Sequence, residues 1–180
     1  MRSGRTLLNL AQELERQLDT KKDLVVSSPL VRHSTSEGGG TTLVVEKASG
    51  PAAYGVTSLA RRQLADKLNI PALLDRNVNT WLQSEPDRRL LRTLDGQVRA
   101  VLSDRYRRLD NYDLAVHVLP ILKGLPDLRF ESVELTETRM YIKCVTPQLK
   151  FEMAPGDIVQ AGIAISNSEV GQGTLSVQPL

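Results

Sequence analysis

The stretch that decides the fold runs from Arg88 to Asp113 and reads RRLLRTLDGQVRAVLSDRYRRLDNYD. Asp95-Gly96 sits near its centre. Such a dipeptide between apolar arms signals a two-residue hairpin turn, because both turn positions must take positive φ. Thr93 and Leu94 end one extended arm. On the other arm Val98, Ala100 and Leu102 alternate with Arg99, Val101 and Ser103, the period of a half-buried strand. That strand runs into Ser103-Asp104-Arg105-Tyr106-Arg107-Arg108, and a helix is predicted to begin at Asp110 or Asn111. From Arg88 to Arg108 there are seven arginines and two acids, Asp95 and Asp104. The densest positive charge therefore lies at a strand–helix junction, a position from which a rigid frame displays binding residues.

Downstream, Leu114, Val116, Val118, Leu119, Ile121 and Leu122 predict a strongly apolar helix over 112–123, kinked or restarted at Pro120. His117, in that company, reads as a packed core residue. A β-hairpin follows over 128–146, with Phe130, Val133 and Leu135 on one arm, Met140, Ile142 and Cys144 on the other, and its turn at Thr136-Glu137-Thr138. Ile158 to Ile165 and Thr174 to Val177 read as further strands.

Upstream, Leu7, Leu10, Ala11, Leu14 and Leu18 recur at helical spacing, with Thr6 as N-cap. Leu24-Val25-Val26 and Leu43-Val44-Val45 read as the arms of a hairpin whose tip holds Gly38-Gly39-Gly40. Those glycines are not a phosphate loop: no Gly-Lys-Ser/Thr follows and no helix opens behind them. Thr57 or Ser58 caps a helix that Asn69 ends and Ile70-Pro71 keeps from continuing. Leu73 and Leu74 point to another short helical turn, and Trp81 reads as a core anchor or a cover for the domain rather than a base-stacking platform.

These elements predict an α+β fold: an antiparallel sheet with helices packed on one face, preceded by an N-terminal helix and hairpin. Residues 1–50 are expected as an arm of helix and hairpin, and residues 51–180 as an α+β core. A chain that stops at Gln178-Pro179-Leu180 on apolar strand material points to a C-terminally truncated core. With 4% aromatic residues, the core must be aliphatic. A single cysteine rules out an internal disulfide and fits a reducing, cytoplasmic setting. No apolar run approaches a membrane span.

Net charge is only +2, but its distribution is uneven. From Asp127 onward four basic residues face seven acidic ones, so a basic middle precedes an acidic end. Two histidines and one cysteine, far apart in sequence, supply too few soft ligands for zinc. Nothing resembles a nucleophile elbow. Asp104, Asp110 and Asp113 read as an arginine partner, a helix cap and a first-turn acid rather than metal ligands. No catalytic residue, metal, cofactor or small-molecule substrate is expected.

Three ordered motifs resemble the phage/plasmid-like family that carries domain of unknown function 932. They are Asn77-Val78-Asn79-Thr80-Trp81-Leu82; Leu91 to Gly96 with Arg99 to Asn111; and Asn167-Ser168-Glu169-Val170-Gly171. The segment from Ile70-Pro71 to Asn77 is shorter than in that family, and its later Cys-x-Asn-Gly motif is absent. The resemblance implies a mixed α+β fold and a mobile-element context in a bacterial host cell, and no assigned activity. The arginine-rich junction then makes single-stranded DNA binding the expected function, in recombination or annealing. Arg92, Arg99, Arg105, Arg107 and Arg108 would contact phosphates, and Tyr106 would offer a stacking face. The alternative is a protein–protein module without nucleic-acid binding. The N-terminal leucine stripe and the final strand lead to the expectation of a homo-oligomer.

Overall fold

The Asp95-Gly96 turn has φ of 51° and 74° at its two positions, as the hairpin reading requires. Around it the computed structural model describes residues 6–36, 38–70, 75–154 and 157–180. In chain order the elements are α1 (Leu7–Thr20), β1 (Lys22–Ser27), a 3-10 turn (Ser28–Leu30), β2 (Val31–Thr35), β3 (Thr41–Val45), β4 (Ala52–Val56), α2 (Ser58–Leu68) and α3 (Asp75–Ser84). They continue with β5 (Arg88–Leu94), β6 (Gln97–Ser103), α4 (Asn111–Gly124), β7 (Arg129–Leu135), β8 (Met140–Ala154), β9 (Asp157–Asn167) and β10 (Ser176–Pro179). The class is α+β, as the sequence predicts. The short helical turn expected at Leu73-Leu74 lies outside the described residues.

The strands form two sheets instead of one. Asp19–Arg107 is one compact unit, and Met1–Leu18 with Arg108–Leu180 is the other. This replaces the expected division into an arm over 1–50 and a core over 51–180. The hairpin of that arm is built into a larger sheet: β2 pairs with β3, β3 with β4, and β4 runs parallel to β6.

In the first unit the strand order is β1-β5-β6-β4-β3-β2. The expected partner of Leu43–Val45 was Leu24–Val26. Its partner is β2, while β1 pairs antiparallel with β5. The two outer strands, β1 and β2, are separated only by Ser28–Leu30. Laid flat, five inter-strand spacings would put them about 24 Å apart. Four peptide steps from Ser27 to Val31 span at most about 14 Å. The sheet is therefore rolled, and β1, the turn and β2 act as one bent strand that serves both edges. The core enclosed by the roll takes Val31, Leu43 and Val45 from the strands, Leu64 and Leu68 from α2, Val78 and Leu82 from α3, and Leu91, Val98 and Val101 from the central hairpin. Thr57 caps α2, its hydroxyl accepting the Ala60 N–H at 3.3 Å, and Asn69 ends it in the left-handed region at φ 52°.

A bulge corrects the alternation read for β6. Thr93 faces Val98 and Arg92 faces Ala100, so Arg99 is an extra residue in the ladder. One inserted residue shifts the side-chain phase by one. Val98 and Val101 consequently share the core, whereas a regular strand would have set them on opposite faces.

In the second unit the order is β10-β9-β8-β7, all antiparallel. The hairpin of β7 and β8 turns at Thr136, whose hydroxyl and N–H both bond the Arg139 carbonyl. Leu10 and Leu14 of α1 and Leu114, Ala115 and Leu122 of α4 pack with Val133, Met140, Ile142, Cys144 and Ile165. Two members of the leucine stripe are thus spent on the unit's own core, although Leu18 is half-exposed. The α4 helix runs through Pro120 without restarting. His117 is exposed on it, its Nδ1 2.7 Å from the Asp113 carbonyl oxygen, and is not the core residue expected. An apolar helix has more apolar residues than its buried face can hold, and Val116 and Ile121 are exposed on it too.

Candidate nucleic-acid interface

The seven arginines of the central stretch divide by burial. Arg92 is wholly buried, its Nε donating to Asp23 Oδ1 at 2.9 Å and its Nη2 to Oδ2 at 3.3 Å. A guanidinium with no exposed surface cannot touch a phosphate, so Arg92 leaves the interface read from sequence. Arg99, the bulge residue, is half-buried. Arg89 is buried as well, with its Nε on Ser28 Oγ at 3.1 Å and its Nη2 on Glu85 at 3.2 Å. Arg88, Arg105, Arg107 and Arg108 are exposed.

Ser103 shapes the loop that carries Arg105. Its hydroxyl oxygen accepts the Arg105 N–H at 3.2 Å and its carbonyl accepts the Tyr106 N–H at 3.0 Å. Serine hydroxyls make such local turns in competition with regular structure, and β6 ends here. The alternation of a strand therefore does not extend to Tyr106, which is half-buried and offers only part of its ring.

The turn delivers Arg105 to an open polar cleft of about 470 Å3. Lys67 reaches it from the last turn of α2, Arg88 from the start of β5 and Arg105 from the end of β6. Glu85 and the buried Arg89 also line it, and Asp87 and Asp104 supply negative charge. The Arg89–Glu85 pair satisfies itself. Lys67, Arg88 and Arg105 carry no ion pair among the described residues, so the cleft presents three cations from three elements to solvent. Among the described residues no group of three His, Cys, Asp or Glu is placed to hold a metal ion. No described helix is long and apolar enough to cross a membrane.

The two flanking motifs turn out to hold backbone. In the first, the Asn79 side chain accepts the His33 N–H at 2.7 Å and donates to the His33 carbonyl at 2.8 Å. A side-chain amide has the same donor and acceptor as a peptide, so it stands in for a missing neighbour on the edge strand β2. In the last motif, Asn167, Ser168, Glu169 and Val170 are all buried. Asn167 donates to the Leu109 carbonyl and to Asn111 Oδ1. Glu169 accepts the Asn111 N–H at 2.6 Å, which satisfies one of the orphan donors at the start of α4 with a negative charge. Asp110, expected as that cap, makes no side-chain cap bond.

Trp81 is not the core anchor expected. It is 47% exposed on α3. The helical period explains this: Val78 and Leu82 take the inward face, and Trp81 is left on the flank. No protein-family model matches the chain, and comparisons with curated proteins and with solved structures find no match either.

Proposed function

We propose that the chain binds nucleic acid through its phosphates, at the cleft of Lys67, Arg88 and Arg105, with the exposed Arg107 and Arg108 extending the contact. The observation that carries this is the convergence of three cations without ion-pair partners on one open cleft. Guanidinium forks match phosphate oxygens in geometry and stay charged at any physiological pH. Single-stranded DNA is the form expected, in a recombination or annealing role. On this reading the protein serves a phage or plasmid in the cytoplasm of a bacterial host, the context that the sequence motifs resemble.

The test is a salt titration of binding to a fluorescein-labelled dT15 oligonucleotide. Each neutralised phosphate adds about −0.7 to the log–log slope on a single strand. Replacing Arg105, Arg107 and Arg108 together by alanine should flatten the slope by about two, and Arg88→Ala by about 0.7. Melting curves confirm that each variant is folded. Unchanged affinity and slope in the folded variants would remove the proposal. A second reading, assembly of copies through an open sheet edge, is favoured by Val177 and Leu180 at β10, which are 63% and 48% exposed. Light scattering distinguishes it: a monomer of 19.9 kDa at micromolar concentration excludes it.

A further inference from the structure

We infer that Trp81 is the base-stacking platform of this cleft, so that its ligand is a strand with unpaired bases and not a duplex. This rests on the phosphate reading of the cleft. The argument begins with the three sides of α3. Val78 and Leu82 face the core. Asn79 and Gln83 face β2 and the 3-10 turn, through bonds to His33 and to the Pro29 carbonyl. At 100° per residue, Trp81 and Glu85 fall together on the opposite flank. The Glu85 N–H donates to the Trp81 carbonyl at 3.0 Å, which carries the helical ladder one residue past Ser84 and keeps Glu85 in phase. Glu85 lines the cleft and pairs with Arg89. Residues four apart on a helix have Cβ atoms about 5–6 Å apart, so the Cβ of Trp81 stands one turn from a residue of the cleft wall.

The chemistry fits a single strand. The sole tryptophan of the chain is left half in water, one helical turn before Glu85, which lines the cleft. An exposed indole offers a flat face on which any base can stack, and phosphate contacts hold the backbone next to it. A duplex keeps its bases stacked on one another and gives the ring nothing to cover. Tyr106, half-buried, is the weaker candidate for this role.

Because Trp81 is the only tryptophan, its own fluorescence reports the contact. Saturating dT15 should quench the emission and duplex of equal length should not. Trp81→Ala should weaken dT15 binding about tenfold with the salt slope retained, and Trp81→Phe should restore most of the loss. If dT15 still binds with a steep salt slope while Trp81 emission and Trp81→Ala affinity stay unchanged, stacking is wrong and the cleft reading stands. Equal quenching by duplex overturns the single-strand assignment. If no oligonucleotide binds in a salt-dependent way, the cleft reading and this inference fall together.

Discussion

Arg92 and Asp23 stand directly opposite each other in the β5–β1 ladder and close a two-point ion pair that no water reaches on the arginine side. The pair ties the edge strand β1 to its neighbour β5. Removing one partner leaves the other charge buried, which typically costs about 3–5 kcal/mol. Arg92→Ala should lower the urea stability of the protein by that amount. Replacing both residues by leucine should cost much less. The DNA affinity of the fraction still folded should not change, which separates Arg92 from Arg105 and its neighbours.

At the other edge, Asn79→Leu should expose the backbone of His33. Two hydrogen bonds are lost, and the cost should be about 1–3 kcal/mol. Hydrogen exchange offers the local readout. The His33 amide should exchange faster in the variant while amides of β5 keep their protection; uniform acceleration across the sheet would contradict an edge-capping role.

Cys144 should contribute a loss of stability at alkaline pH. Burial pushes its thiol from an ordinary 9.0 up to about 11. The folded state then holds the proton between those values while the unfolded state has lost it. Stability is full below pH 9 and falls as pH rises toward 11, by about 1.4 kcal/mol per unit from this group. Cys144→Ala should lose stability at neutral pH and show a shallower decline from pH 9 to 11. Parallel declines in the two proteins, measured by urea unfolding, would show that other groups account for the loss.

Local signals were legible in the sequence where a single residue had one conformational solution. Asp95-Gly96 needed positive φ and has it; Thr57 and Asn69 bound α2; Thr136 turns the β7–β8 hairpin. Pairing across long separations was not legible. Nothing local says that Lys22–Ser27 pairs with Arg88–Leu94, because its own apolar run fits any strand. The strand β4 went unread because Ala52-Ala53-Tyr54-Gly55-Val56 has two alanines and a glycine where strands favour branched side chains.

The candidate site was half legible for a related reason. Seven arginines look alike in sequence, yet only tertiary pairing decides which are neutralised. Asp23, the partner that buries Arg92, lies in a different strand far upstream. Lys67 and Arg88 join Arg105 only because the end of α2, the start of β5 and the end of β6 meet at one place, a fact that no spacing encodes. The exposure of Trp81 did leave a trace. Val78 and Leu82 already fill the inward face of α3 at i and i+4, and a third inward position at Trp81 would break that period.

The discontinuity of the second unit has a consequence during synthesis. Leu10 and Leu14 close on Leu114 and Ile165, whereas all of Asp19–Arg107 lies between them in the chain. At about 5–20 residues per second, a ribosome needs roughly 5–20 s to make the 100 or so residues from Leu14 to Leu114. By the end of that interval the rolled sheet has every strand it needs, while α1 has waited with its apolar side in water. This helix is made well before its core partners, and for those seconds it is a stretch of nascent chain that a chaperone would meet.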